Sequence, residues 1–293
     1  MAKIGIIGIP GNGSSEKLAE IAEKKTGFRR LIDMGQVSFE MEKGRILAGD
    51  MDLSTLDALI IKKIGSEYSP FFLDRLEILR YLGCNGMKIF SNPEKIMRLL
   101  NRLNCTVRLK QGNIPIPPTV VTENLDLAVE ALENYGKAVL KPLFTSKARG
   151  MRLLDSSNGA RNEIENFQQS GNRVIYLQKF VPIPGRDIGV VFLGGEYVAT
   201  YARVQEEGSW NTTTHFGGRY EPYTPSDHIV ALARKAQSLF GLDFTCVDIV
   251  ETTDGPMVFE VSAFGGFRGL WEAHRIDAAE LYINHVMGIL KNG

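Results

Sequence analysis

Short, nearly unbroken apolar runs at Lys3–Ile9, Asp57–Lys62 and Met87–Phe90 read as buried strands. Between them, Ser14–Lys25 and Pro70–Gly83 read as helices and Val37–Leu47 as a hairpin. This alternation predicts an α/β unit built on a parallel sheet. A second block opens at Asn92-Pro93 with helices over Pro93–Gly112. It continues through strands Thr119–Thr122, Ala138–Lys141, Met151–Leu154 and Val174–Phe180, with helices Leu125–Tyr135 and Ala160–Gln169 between them. The third block is mostly strands, Asp187–Leu193 and Tyr197–Val204 among them, with helices over Ser226–Phe240 and Asp277–Leu290. The expected class is α/β, passing to α+β in the C-terminal half, with units at 1–91, 92–181 and 182–293. No repeat, low-complexity tract or flexible linker breaks the pattern.

Two interruptions of apolar pattern carry the first chemistry. Asp248 breaks the run Phe244-Thr245-Cys246-Val247-Asp248-Ile249-Val250, and Glu260 breaks Met257-Val258-Phe259-Glu260-Val261-Ser262. A lone carboxylate in a buried strand costs several kcal/mol unless something pairs with it. Thr253-Asp254-Gly255 suits a three-residue hairpin loop, which places Asp248 opposite Glu260 with Ser262 on the same face. Two facing carboxylates with few convergent oxygens suggest Mg²⁺ bridging to phosphate. The alternative is a hairpin with one wet face, where the acids meet solvent.

Composition narrows the class. Lys+Arg and Asp+Glu balance at 34 each, so nothing points to a nucleic-acid or anionic-membrane partner. No apolar stretch approaches the roughly 20 residues of a membrane span, and the chain enters a strand at once without a signal-peptide core. A cytoplasmic protein is expected. Cys84, Cys105 and Cys246 show no metal or redox spacing and read as small buried residues. His215, His228, His274 and His285 show no paired zinc-ligand spacing, although His215 and His274 flank a candidate substrate region that Trp210 and Trp271 bracket.

Gly8-Ile9-Pro10-Gly11-Asn12-Gly13-Ser14-Ser15 has the glycine spacing of a phosphate loop, but serine stands where that motif needs lysine. A strand-to-helix turn capped by Ser14 or Ser15 is the preferred reading, with anion binding at the helix N-terminus the alternative. Further on, Ala138-Val139-Leu140-Lys141-Pro142 ends a strand on lysine and leads into Leu143-Phe144-Thr145-Ser146-Lys147-Ala148-Arg149-Gly150. A small, polar loop between strands can close over a triphosphate as a lid, with Lys141 beneath it as a point charge that the fold itself does not need. Tyr176-Leu177-Gln178-Lys179-Phe180-Val181-Pro182 then runs into a hinge whose backbone can read an adenine edge.

In this order the segments resemble the ATP-grasp superfamily, specifically the RimK-like carboxylate–amine ligases, from about Asn92 onward, with the N-terminal block fitting their pre-ATP-grasp domain. Asn113-Ile114-Pro115-Ile116-Pro117-Pro118-Thr119 resembles that family's G-I-P-x-P-x-T, Gln178-Lys179-Phe180-Val181 its Q-E-F-I hinge, and Asp248 with Glu260-Val261-Ser262 its metal-binding D…E-x-N. The lid resembles that of the GAK-system subgroup. The resemblance implies ATP with Mg²⁺ or Mn²⁺ as cofactors and Asp248, Glu260 and Ser262 as metal ligands. It implies that Lys141 and Arg102 hold phosphates beneath lid residues Thr145 and Ser146, and that the backbone of Lys179 and Val181 holds adenine. Asp187 follows the hinge, and Arg203 reaches the transferring phosphate. Its alternative is a surface arginine at a strand terminus.

The departures fall in two places. Asn101-Arg102 replaces the family's Asp-Lys, the lid is poorer in glycine, and Ser262 replaces an asparagine. In the acceptor region, Trp210-Asn211-Thr212-Thr213-Thr214-His215-Phe216-Gly217-Gly218 carries Asn211 and Thr213 where the family has arginine and asparagine, and Arg268 is new. Asn211, Thr213, His215 and Arg268 are therefore the expected substrate residues, with Arg268 a candidate partner for an acidic acceptor. The implied activity joins a small-molecule or peptide carboxylate to an amine through an acyl-phosphate, in a monomer or a homo-oligomer. The alternative is an ATP-binding regulator of the same fold that has lost ligation.

Overall fold

The computed structural model describes residues 2–157, 159–206, 210, 212 and 217–292. The N-terminal unit contains β1 (Ile4–Ile7), α1 (Gly13–Thr26), β2 (Leu31–Ile32), β3 (Val37–Glu40), β4 (Arg45–Ala48), β5 (Met51–Asp52), β6 (Ala58–Ile61), α2 (Phe71–Cys84) and β7 (Lys88–Phe90). Four strands form a parallel sheet in the order β2-β1-β6-β7, while β3, β4 and β5 make a separate antiparallel flap. Every residue of β1 and β6 is buried, as a sheet covered on both faces requires. Side chains alternate between the two covers. Ile4, Ile6, Ala58 and Ile60 join α1 in one core, and Ile7, Leu59 and Ile61 join α2 in the other.

The turn into α1 is not capped by Ser14 or Ser15. Asn12 is the N-cap residue, without a side-chain cap bond, and the buried Ser15 Oγ instead accepts from the Ile9 amide at 3.2 Å. The Gly11 amide donates to the Glu16 carboxylate at 2.9 Å, so an acid of the same helix already sits against this loop. Cys84 also departs from expectation: it is exposed, beside Arg80, at the end of α2.

The second block contains α3 (Pro93–Leu100), α4 (Arg102–Gln111), β8 (Thr119–Thr122), α5 (Leu125–Tyr135), β9 (Lys137–Leu140), β10 (Arg152–Asp155), α6 (Ala160–Gln169) and β11 (Ile175–Lys179). Its strands form an antiparallel sheet, β10-β9-β11-β8, backed by α5 and α6 through Ala128, Leu132, Ile164 and Phe167. The expected boundary at residue 92 divides the chain but not the packing. Ile96 and Leu100 of α3 and Cys105 and Leu109 of α4 share a core with the C-terminal sheet, and the Val258 amide donates to Pro115 O at 2.8 Å.

The last block contains β12 (Arg186–Leu193), β13 (Glu196–Val204), β14 (Arg219–Pro222), α7 (Asp227–Ser238), β15 (Phe244–Thr252), β16 (Gly255–Ser262), α8 (Phe267–His274) and α9 (Ala278–Asn292). The strand order is β14-β13-β12-β15-β16, all antiparallel. One face, with Val190, Ala202, Val247 and Ile249, packs on α3, α4 and α7. The other, with Val191, Tyr201, Phe244 and Cys246, packs on α8, α9 and the N-terminal sheet. Asp248 lies in register with Cys246 and Phe244, so its carboxylate looks toward the N-terminal unit. Among the described residues, no helix is long and apolar enough to cross a membrane.

Candidate active site

Asp248 does face Glu260, though by a different route from the one its loop suggested. The hairpin loop has two residues, with Thr252 paired to Gly255, and that register alone would set Asp248 against Phe259. A β-bulge intervenes: Ile249 faces Val258 while Asp248 faces Glu260, leaving Phe259 as the extra residue. Without it Glu260 would point to the opposite face, because side chains alternate along a strand. The bulge therefore brings the two acids together.

Around this pair, cations and carboxylates interlock. Arg203, in β13, grips Asp187 of β12 through two hydrogen bonds, one of them Nε to Oδ1 at 3.1 Å, and its Nη2 lies 3.0 Å from Asp248 Oδ2. Asp187 is 5% exposed, so it serves as the arginine's counter-ion rather than as a solvent-facing group. Burial, together with the nearby charges of Asp187 and Glu260, holds Asp248 up at about 6 despite the guanidinium beside it. A divalent cation here would relieve that repulsion, and two cross-strand carboxylates are the hard oxygen donors that Mg²⁺ prefers. Ser262 is differently engaged. Its Oγ accepts from the amides of Phe264 at 3.4 Å and Gly265 at 3.1 Å, which ties down the loop after β16.

The expected nucleotide-binding residues lie between the central and C-terminal sheets. Lys141 is 8% exposed; its Nζ donates to Gln178 Oε1 at 2.5 Å and lies 5.4 Å from the centroid of the Phe259 ring. Gln178 is fixed in turn by its own amide bond to Thr119 Oγ1 at 2.9 Å. Burial, and next the Arg102 guanidinium, bring Lys141 from its usual 10.5 down to about 7, with Glu260 pulling the other way. Arg102 reaches Glu260 at 3.6 Å and donates through Nε to Pro142 O at 3.3 Å, tying α4 to both the acid hairpin and the lid. Thr145 and Tyr68 line the cleft beside Arg102 and Glu260. Thr145 Oγ1 is buried without a partner, a cost that a bound polar ligand removes.

In the lid, Arg149 donates to Ser146 O and Oγ, both at 3.3 Å, while Lys147 and Ala148 adopt left-handed backbone angles. At the hinge, the amides of Lys179 and Phe180 are consumed by Pro118 O at 2.8 Å and Lys137 O at 2.9 Å. An adenine edge would therefore draw on the Lys179 carbonyl and the Val181 amide.

The expected substrate residues divide. Asn211, Thr213 and His215 lie outside the described residues. Arg268 sits on an exposed face of α8 with its Nε 2.5 Å from Glu272, so its charge is already matched. His274 Nε2 lies 2.7 Å from Thr200 O, and Trp271 is 51% exposed. Sequence reasoning missed a different cation, Lys62, which is 3% exposed and follows the apolar β6. The signal was present, since a lysine directly follows the unbroken run Ala58-Leu59-Ile60-Ile61. Among the described residues, no group of three or more His, Cys, Asp or Glu could hold a metal.

The family model of the RimK-like ATP-grasp domain matches residues 99–286. The chain belongs to the RimK-like ATP-grasp family. It is a ligase of that family. Among its relatives is the tetrahydromethanopterin:alpha-L-glutamate ligase of Methanosarcina acetivorans, 27% identical over 324 aligned positions that span 99% of this chain and 100% of that protein. A probable alpha-L-glutamate ligase of Aeromonas salmonicida is 25% identical and covers 92% of this chain and 91% of its own. The fold matches the ATP-grasp ligase PsnB complexed with a phosphomimetic variant of minimal precursor, Mg and ADP. That likeness has a TM-score of 0.77 at 17% identity and covers 99% of both chains. ATP-grasp ligases use ATP and Mg²⁺.

Proposed function

We propose that this chain is an ATP- and Mg²⁺-dependent carboxylate–amine ligase working through an acyl-phosphate. The observation that carries the reading is the convergence of Arg102 and Arg203 on the Asp248–Glu260 pair, with Lys141 against the neighbouring Phe259 ring and the orphaned Thr145 hydroxyl beside them. Lys141 and Arg102 hold the phosphates of the nucleotide, and Thr145 Oγ1 finds there the partner it otherwise lacks. The metal, when bound by Asp248 and Glu260, supplies neutralisation of the β- and γ-phosphate oxygens. Ser262 contributes by fixing the loop behind the site, since its hydroxyl oxygen is already engaged by two amides.

An oxygen of the substrate carboxylate forms a bond to the γ-phosphorus as the bond to the β,γ-bridging oxygen breaks, releasing ADP. Arg203, held in orientation by Asp187, stabilises the charge on the transferring group. The amine nitrogen then attacks the acyl carbon, phosphate departs with the original carboxylate oxygen, and the amine's proton passes to solvent. No protein nucleophile enters, and the chain contributes positioning and electrostatics. The relatives named as alpha-L-glutamate ligases make an acidic amino acid a reasonable first amine.

The test is oxygen transfer. Full-length protein with Mg-ATP is supplied with ¹⁸O-labelled carboxylates and a panel of amines, and the released phosphate is weighed by mass spectrometry. One ¹⁸O per phosphate, formed only when both substrates are present, is the expected result. Unlabelled phosphate released at the same rate without acceptor would reduce the activity to ATP hydrolysis and overturn the reading.

A further inference from the structure

We propose that Tyr68 is a further residue of the transfer site, its hydroxyl donating to the γ-phosphoryl group of the nucleotide; this rests on the ligase reading above. Tyr68 lies in the segment 62–70 that joins β6 to α2, so it belongs to the N-terminal unit. It nevertheless lines the same cleft as Arg102 of α4, Leu143 and Thr145 of the lid, and Phe259 and Glu260 of β16. Its ring packs on Phe72 of α2, with centroids 5.3 Å apart. Packing of that kind asks for a ring and not for a hydroxyl, and phenylalanine would supply it equally well.

The hydroxyl makes no hydrogen bond among the described residues. Tyrosines elsewhere in the molecule do. Tyr176 Oη pairs with Thr106 Oγ1 at 2.8 Å, Tyr201 Oη with Cys246 Sγ at 3.3 Å, and Tyr223 Oη donates to Glu251 Oε2 at 2.5 Å. Thr145 Oγ1, in the wall of the same cleft, is buried without a partner too. Hydroxyls left unpaired on both the N-terminal unit and the lid mark a place where a ligand with acceptor oxygens completes the hydrogen bonding.

Position and charge assign the acceptor. The charged groups that act on Tyr68 are Glu260 and Arg102, which sets it beside the acid hairpin rather than at the Lys179–Val181 hinge. Burial, and next the Glu260 charge, raise the phenol above its usual 10.0, so the hydroxyl keeps its proton and remains a donor. Glu260 itself is a neighbour without a hydrogen bond to it. The γ-phosphoryl group brings acceptor oxygens to this end of the cleft. As its bond to the bridging oxygen breaks and its bond to the substrate carboxylate forms, charge spreads over the equatorial oxygens. Tyr68 donates to one of them and gives up no proton. ADP lacks that group, so the contact distinguishes the two nucleotides.

The experiment titrates full-length protein with Mg-ADP and with the non-hydrolysable ATP analogue Mg-AMP-PNP by calorimetry, without carboxylate or amine. Tyr68→Phe keeps the ring on Phe72 and removes only the hydroxyl. It is expected to weaken Mg-AMP-PNP about three- to tenfold, the scale of one neutral hydrogen bond, and to leave Mg-ADP within about twofold of wild type. A merely structural role would not separate the two nucleotides. Unchanged affinity for Mg-AMP-PNP, or equal losses for both, overturns the assignment. Should Tyr68→Phe fail to fold, wild type labelled with ¹³Cζ-tyrosine answers the same question, the Tyr68 signal being assigned through its loss in Tyr68→His. A signal that moves with Mg-AMP-PNP and not with Mg-ADP supports the contact, and one that is unmoved or moves alike with both overturns it. Because no substrate is needed, the result stands apart from the oxygen-transfer test. Nucleotide discrimination without ligation sinks only the ligase reading, and ligation without discrimination sinks only the role of Tyr68.

Discussion

Lys141→Met tests the nucleotide site and the energetics of the free protein together. Burial and the Arg102 charge bring the lysine from 10.5 to about 7. Below pH 7 it is protonated in both folded and unfolded chains, and the fold carries the full desolvation penalty. From about 7 to 10.5 only the unfolded chain keeps the proton, so stability rises with pH by about 1.4 kcal/mol per unit. Above 10.5 neither state is charged and the penalty is gone. The full span corresponds to an upper bound of roughly 5 kcal/mol. Against it stands Gln178 Oε1, which the substitution leaves without its 2.5 Å donor, at about 1–3 kcal/mol. Lys141→Met is therefore expected to be more stable than wild type at pH 7 without nucleotide, by at most about 2–4 kcal/mol. That advantage should shrink as pH rises toward 9. Urea denaturation at pH 7, 8 and 9 reads the difference, which cancels the contribution of Lys62 common to both proteins. In the same variant ATP affinity should fall at least tenfold, about 1.4 kcal/mol. Parallel pH dependence in the two proteins would show that Lys141 keeps its proton in the fold, and would refute the reasoning.

Other parts of the site yield shorter tests. Mg-ATP should raise the thermal midpoint by several degrees through linkage, and Asp248→Asn or Glu260→Gln should remove the part that depends on the metal; equal shifts with and without Mg²⁺ would discard the metal pair. Thr145→Val should leave the free protein as stable as wild type or more so, because the hydroxyl has no partner, while weakening Mg-ATP measurably in calorimetry. Asp187→Asn should lower kcat more than it raises the KM for ATP, because it releases Arg203 rather than removing a nucleotide contact; an unchanged kcat would argue against that role. Arg268→Ala should change turnover by less than about threefold, since Glu272 already matches its charge on an exposed surface, and a larger loss would restore it to the acceptor site.

What the chain disclosed in advance was whatever depends on short-range pattern. β8, α5 and α6 fall on their expected residues because each is bounded by a local signal, such as Asn124, whose side chain caps α5. The strand β14 and helix α8 escaped for the converse reason. β14 is a four-residue polar strand stabilised by pairing with β13, and α8 follows a glycine pair that reads as a loop. The helices α3 and α4 were found, but their shared core with the C-terminal sheet was not legible, because an amphipathic face does not say which element it meets.

The acid hairpin shows how a correct pairing can rest on an incorrect loop. Two positions decide whether Asp248 and Glu260 share a face: the number of residues in the turn and any residue added to a strand. A three-residue turn and a two-residue turn with one bulge have the same parity, so the carboxylate pair alone cannot distinguish them. The distinction matters chemically, because the extra residue, Phe259, lies directly before Glu260 and sets its ring 5.4 Å from Lys141 Nζ. The same irregularity thus aligns Glu260 with Asp248 and places an apolar wall against the lysine, favouring the dry surroundings that depress its proton affinity. Lys62 follows a similar logic at the other side of the site, where an apolar strand leads into a buried cation. In both places the fold holds a lysine in surroundings that favour its neutral form. A nucleotide phosphate would relieve the penalty at Lys141, so its affinity would include the strain it removes from the free protein.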